Sequence, residues 1–395
     1  MRKVLFISSL YFPHAGGVET MIRELARSYM KLGLEVDVLT KKWPDSLSEV
    51  SEYEGVHIYR IKNARTIDDF MDVIAWLKDN MEKIRPDIIH VIGARRPLPL
   101  IGLLLKSYLK IPLVLTIAGG DIPDRVDPFP GTVWDESLAT VRPVFDFADV
   151  ITCVSDSVTN DFRYFFPEVK TPTRTLYAGI DMEFIRRIPA EKRRKRFALS
   201  LRRLDPTKGV HFLIDAFRTI SGEYPDLELV IAGDGSERAA LEAQSKRTGL
   251  EERISFIGTI GLERGIALLK GAEMTVVPSL SEAGGLVNVE AQASGCPVVA
   301  TRVGGIPEYV DDGVSGILCK PADTEDLARN MKRILDDKSL RSRLIKGGYV
   351  HADKFDWTVI APQYLALYDS LSVSREDKGL CRDSLFTSLW DKLHL

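Results

Sequence analysis

Short runs built almost wholly of apolar residues recur along this chain: KVLFIS at 3–8, EVDVLT at 35–40, DIIHVI at 87–92, LVLTI at 113–117 and DVITCV at 149–154. A strand with one wet face alternates apolar and polar residues, whereas a strand apolar throughout must be covered on both faces. Between these runs lie stretches whose apolar spacing predicts helices from about Val18 to Leu32, Ile67 to Ile84 and Pro99 to Leu109. Strand, helix, strand with both faces covered is a doubly wound parallel sheet.

The pattern runs down at TRTLYAGID (173–181) and then starts again with RFALSL at 196–201, a helix from Val210 to Ile220, LELVIAG, RISFIG, EMTVVP and PVVAT. A chain of 395 residues is too long for one ordinary hydrophobic core. The expectation is therefore an α/β protein with two doubly wound domains, residues 1–180 and 181–358, facing across a cleft that holds the ligand. Residues 359–395 are expected to form a crossover helix, from about Trp357 to Leu371, and a tail packing back on the first domain. The apolar stripe Leu385, Phe386, Leu389, Trp390 and Leu393 has helical spacing and reads as a packing face, with a membrane interface as the second reading.

The net charge of −3 speaks against a nucleic-acid binder. The basic run Lys192 to Arg196 reads as a solvated linker, with peripheral contact to an anionic membrane surface as the lesser alternative. Cys153, Cys296, Cys319 and Cys381 are far apart and suggest neither a zinc cage nor a disulfide framework, which fits a reducing cytoplasm. The opening MRKVLFISSLYF reads as a first strand rather than a signal peptide, and no run reaches the roughly 18 apolar residues of a spanning helix. His14 and His90 are read as structural.

The segment EMTVVPSLSEAGGLVNVEAQASG (273–295) predicts a strand ending near Pro278, a loop, and a helix beginning near Gly285 or Leu286. The first amides of that helix are unpaired and its dipole favours an anion, so a phosphate is the natural guest at Gly284, Gly285 and Leu286. Glu290, one turn further, can accept both hydroxyls of a ribose, and Glu282 ahead of the glycines would face whatever the phosphates carry. The alternative is a capping Glu282 and a surface Glu290. Arg203 and Lys208, in SLRRLDPTKG after the first strand of the second unit, can offset a diphosphate's charge and stabilise it as a leaving group.

These residues resemble the retaining nucleotide-sugar glycosyltransferases of family 4, which have the two-domain GT-B fold. The resemblance rests on RLDPTKG at 203–209, GDG at 233–235, EAGGLVNVEAQASGCPVVAT at 282–301, VGGIPE at 303–308 and HAGGVE at 14–19, and spans nearly the whole chain. It implies that Arg203 and Lys208 bind the diphosphate, Glu290 the ribose and Glu282 the transferred sugar. Gly233, Ala283, Gly284, Gly285 and Leu286 complete the donor site, and Gly16 and Gly17 close over the phosphates. Three positions depart from the family pattern: Ala118 stands where many members have histidine, Ala178 where others have asparagine, and Arg202 where a glycine usually precedes the RL pair. Asp121, three residues past Ala118, is then a candidate catalytic group, with a turn or cap as its plain role.

The reaction so implied moves a sugar from a UDP- or GDP-sugar to an acceptor hydroxyl with retention, by front-face attack with a donor phosphate oxygen taking the proton. No D-x-D-like pair stands beside the phosphate site, so neither metal nor cofactor is expected. The acceptor is a glycan, a lipid-linked group or a small molecule; Arg95, Arg96 and the apolar 97–105 stretch hint at a lipid-linked or anionic one. The rivals are a hydrolase or epimerase on the same fold and a non-catalytic nucleotide-sugar-binding subunit. A dehydrogenase is remote, because GDGSER lacks the third glycine of the dinucleotide fingerprint.

Overall fold

The computed structural model describes residues 3–14, 16–62, 67–94, 98–122 and 142–373. Arg95, Arg96, Cys381 and the Leu385 to Leu393 stripe lie outside these residues. The first sheet comprises β1 (Lys3–Ser8), β2 (Glu35–Lys41), β3 (Val50–Tyr53), β4 (Val56–Ile61), β5 (Ile88–Ile92), β6 (Leu113–Ile117), β7 (Val150–Cys153) and β8 (Thr173–Thr175). Their order is β3-β4-β2-β1-β5-β6-β7-β8, parallel throughout except for β3. The β3–β4 hairpin was not anticipated. Its two turn residues, Glu54 and Gly55, both have positive φ, which is the mirror-image turn that matches strand twist.

The second sheet comprises β9 (Arg196–Leu201), β10 (Leu227–Ala232), β11 (Ile254–Phe256), β12 (Met274–Val277), β13 (Val298–Thr301) and β14 (Ile317–Cys319), in the order β11-β10-β9-β12-β13-β14. All its pairings are parallel. Strands apolar throughout are buried throughout: Leu5, Phe6 and Ile7 of β1 and Ala198 and Leu199 of β9 have no exposed surface. Helices form where the periodicity predicts them, at Gly17–Lys31, Ile67–Ile84, Leu98–Leu109 and Val210–Ser221.

The chain passes between the sheets twice, and the two passes are paired. Ile180 N–H donates to Phe355 O at 2.8 Å, and Trp357 N–H to Ile180 O at 3.0 Å. The helix Trp357–Val373 then returns to the first sheet's side, burying Trp357, Ile360, Tyr364 and Tyr368 in a core with Phe6, Leu25 and Tyr29. Its register is pinned by Tyr364 Oη donating to Leu176 O at 3.0 Å.

Three side readings resolve here. In the basic run, Lys195 is 3.1 Å from Glu228, Arg196 is 3.3 Å from Asp226 and Arg193 lies over the Phe197 ring, which suits a solvated linker better than a membrane patch. The described part of the apolar 97–105 stretch buries Leu98, Ile101, Leu103 and Leu105 in the core. His90 is buried between Tyr368 Oη at 2.5 Å and Thr116 Oγ1 at 2.6 Å, and burial lowers its pKa to about 3. Among the described residues no helix is long and apolar enough to cross a membrane.

Candidate active site

The strand order of the second sheet reverses between β9 and β12, and ligands in doubly wound sheets bind beyond the strands' carboxyl ends at such a reversal. Arg202 follows β9 directly, and Ser279 stands two residues beyond β12. The neighbouring Arg202 and Arg203 turn to different partners. Arg202 is the one turned in. Its Nη2 donates to Ser279 Oγ at 2.8 Å and to Glu282 Oε2 at 3.3 Å. Arg203 is 79% exposed and ion-paired with Asp205 at 3.3 Å, outside this group.

Lys208 arrives from a short 3-10 turn, Pro206–Lys208, and its Nζ lies 3.0 Å from the same Glu282 oxygen. Ser279 Oγ is 3.2 Å from it as well. Three donors thus converge on Oε2. Burial alone would lift the Glu282 pKa, but the charges of Lys208 and Arg202 and the Ser279 hydrogen bond outweigh it and hold the carboxyl below its usual range. No described residue bonds to the other oxygen, Oε1.

Gly285 caps the helix Leu286–Ala293 at φ 105°, a left-handed conformation that a side chain would strain. The first amides of that helix open toward the loop carrying Glu282, Ala283 and Gly284. Glu290 lies one turn in, half-buried, with no hydrogen-bond or ion-pair partner for its carboxylate among the described residues. Burial raises its pKa to about 7. With no such partner of its own, the carboxylate is available to accept donors from a ligand. Gly233 directly follows β10 and donates its N–H to Gly258 O at 2.8 Å, next to the Arg202 backbone.

The first sheet's half meets this loop directly. Ser155 Oγ donates to Ala283 O at 2.6 Å while accepting from Val158 N–H as the cap of the helix Asp156–Phe165. The Ala283 methyl packs against Gly119, where a Cβ would come within 2.3 Å of it. The turn 118–121 is therefore beside the Glu282 loop, and Asp121 Oδ2 accepts from Ala118 N–H at 3.0 Å. Leu286 packs against the cores of both halves. Gly16 and Gly17 lie exposed at the start of the helix Gly17–Lys31, beyond the carboxyl end of β1.

Sequence reasoning named Glu282, Lys208 and Glu290 but left out Arg202, Ser279 and Ser155. In the sequence Arg202 shows only as a departure from a glycine. The signal that finds it is positional, since the first residue after a central strand inherits the strand's alternation.

Two family models match the chain: the one described as Glycosyltransferase Family 4 over residues 15–184, and the one described as Glycosyl transferases group 1 over residues 181–351. A glycosyltransferase of Methanocaldococcus jannaschii is 29% identical over 375 residues, covering 94% of this chain and 99% of that protein. Among solved structures, a sucrose-phosphate synthase from Thermosynechococcus elongatus superposes with a TM-score of 0.81 at 22% identity, over 95% of this chain and 100% of its own. The Anabaena protein HepE, solved in complex with UDP-glucose, superposes with a TM-score of 0.75 at 21% identity, over 94% and 100%.

Proposed function

The chain belongs to the family 4 glycosyltransferases of the GT-B fold, and from that premise we propose that it transfers a sugar from a nucleoside-diphosphate sugar to an acceptor hydroxyl with retention at the anomeric carbon. The observation that carries the reading is the arrangement at the strand reversal. A carboxylate gathered by Lys208, Arg202 and Ser279 stands ahead of a glycine-capped helix start, and Glu290, without a partner among the described residues, stands one turn behind it.

In this reading the phosphates sit at the first amides of the helix Leu286–Ala293, with Gly284 and Gly285 allowing close approach. Lys208 and Arg203 take up the charge that grows on the diphosphate as the sugar leaves, and Gly16 and Gly17 close from the other side. Glu290 accepts the two ribose hydroxyls. Glu282 accepts a sugar hydroxyl at Oε1. A carboxylate held by two cations is a poor nucleophile, which supports front-face attack without a covalent intermediate; a phosphate oxygen takes the acceptor's proton. The protein's own cations serve in place of a metal, so none is required. The HepE complex with UDP-glucose supports a uridine donor, with a guanosine donor as the other candidate, and the acceptor is a glycan, a lipid-linked group or a small molecule.

Thermal shift against a panel of nucleotides and nucleotide sugars tests the donor, because a bound ligand raises the melting temperature by mass action. Proton NMR of the product's anomeric centre tests retention. Release of diphosphate without acceptor would mark a hydrolase, and binding without turnover a binding subunit.

A further inference from the structure

The charge around Glu282 is one cation larger than a single carboxylate needs. Lys208 stands on a turn with a flexible stem, whereas Arg202 is fixed: its side chain is 4% exposed, and Nη2 is tied to both Ser279 and Glu282. Its Nε and Nη1 are buried without a hydrogen-bond partner among the described residues. A buried guanidinium with two unpaired nitrogens is costly unless a counter-charge offsets it. The carboxylate at contact distance is Glu282, and Asp205 adds a longer-range attraction. Sealed in this way, Arg202 is in no position to touch a ligand itself. Its effect passes through Glu282.

We propose that Arg202 is a positioning residue: anchored on Ser279, it holds Glu282 with Oε1 toward the transferred sugar and so frees Lys208 to turn to the donor's phosphates. Without it, Lys208 would have to serve carboxylate and diphosphate at once. The proposal rests on the donor reading above.

Two measurements on the full-length protein test it. The first is ligand-free: thermal unfolding of the wild type, Arg202→Gly, Glu282→Gln and the double variant. The melting temperature lost through Arg202→Gly in the wild-type background should vanish or reverse when Glu282 is already Gln, because the buried guanidinium then has no counter-charge. Additive losses would overturn the proposal.

The second compares calorimetry using UDP and GDP with steady-state kinetics using UDP- and GDP-sugars. Arg202→Gly should lower kcat by about 10–100-fold through a misplaced sugar, with a smaller loss of diphosphate affinity, about threefold, as Lys208 turns back to Glu282. Added millimolar guanidinium should restore part of kcat. Equal loss of affinity and turnover would make Arg202 a phosphate or packing residue and sink the idea. If the wild type binds neither diphosphate, the donor reading fails, and the unfolding cycle still decides whether Arg202 holds Glu282.

Discussion

Glu308 and Asp156 belong to different halves of the molecule, and the Glu308 carboxylate accepts the Asp156 backbone N–H at 2.6 Å. The same carboxylate takes the Ser157 N–H at 2.9 Å and the Tyr177 hydroxyl at 3.2 Å. The helix Asp156–Phe165 thus receives an anionic cap from across the cleft, where its exposed amides and dipole favour one. Close by, Tyr309 Oη donates to Val154 O at 2.8 Å, and Ser155 holds the Ala283 carbonyl. The loop that carries Glu282 is thereby set between the two halves.

Loss of that cap should loosen closure. Glu308→Ala leaves two amides without their acceptor, a cap worth about 0.5–2 kcal/mol, and lets the halves swing about the paired passes where Ile180 meets Phe355 and Trp357. Small-angle scattering should show a larger radius of gyration for the ligand-free variant, with compaction recovered at saturating donor. A profile identical to that of the wild type would remove Glu308 from the closing contact.

Glu290 should release a proton when the nucleotide binds. Burial lifts its pKa to about 7 from an ordinary 4.5. Between those values the folded protein holds a proton that the unfolded chain does not, so this residue's contribution to stability falls as pH rises through the window. Ribose hydroxyls donate to the ionised form and favour it. Diphosphate affinity should therefore rise from about pH 6 to about pH 8, with proton release visible as a dependence of calorimetric heat on buffer ionisation enthalpy. Glu290→Gln should reduce both effects to what the ligand's own terminal phosphate contributes, and a pH dependence equal in wild type and variant would contradict the assignment.

Turnover should survive chelation. The reading gives the diphosphate's charge to Lys208, Arg203 and helix amides, so EDTA should leave the rate of sugar transfer unchanged. A rate lost in EDTA and restored by magnesium or manganese would show that the protein's cations are insufficient.

Regular elements were legible in the sequence because their signal is local. The helix Ile67–Ile84 matches its periodicity at both ends, and the cap at Gly285 was visible as a glycine between a strand and an apolar run. The β3–β4 hairpin was missed because a two-residue turn using Glu54 and Gly55 is a weaker sign than Asn-Gly. Within the site, the residue types that bind phosphate and diol could be named, but which of Arg202 and Arg203 turns inward depends on where β9 ends. The bond from Ser155 to Ala283 joins residues 128 apart and follows from how the two halves meet. Nothing local encodes it.

The donor assignment is tested most directly by calorimetry of the nucleoside diphosphate on Glu290→Gln and Glu282→Gln, alongside kinetics with the full nucleotide sugar. Glu290→Gln keeps its shape but cannot accept both ribose hydroxyls, so it should weaken the bare diphosphate by about 1.5–3 kcal/mol, the worth of a charged hydrogen bond. Glu282→Gln should leave that affinity nearly intact, since the diphosphate carries no sugar to touch it, and should lower turnover. Equal weakening of the bare diphosphate by both variants, or no effect from either, would contradict the placement of ribose on Glu290 and sugar on Glu282.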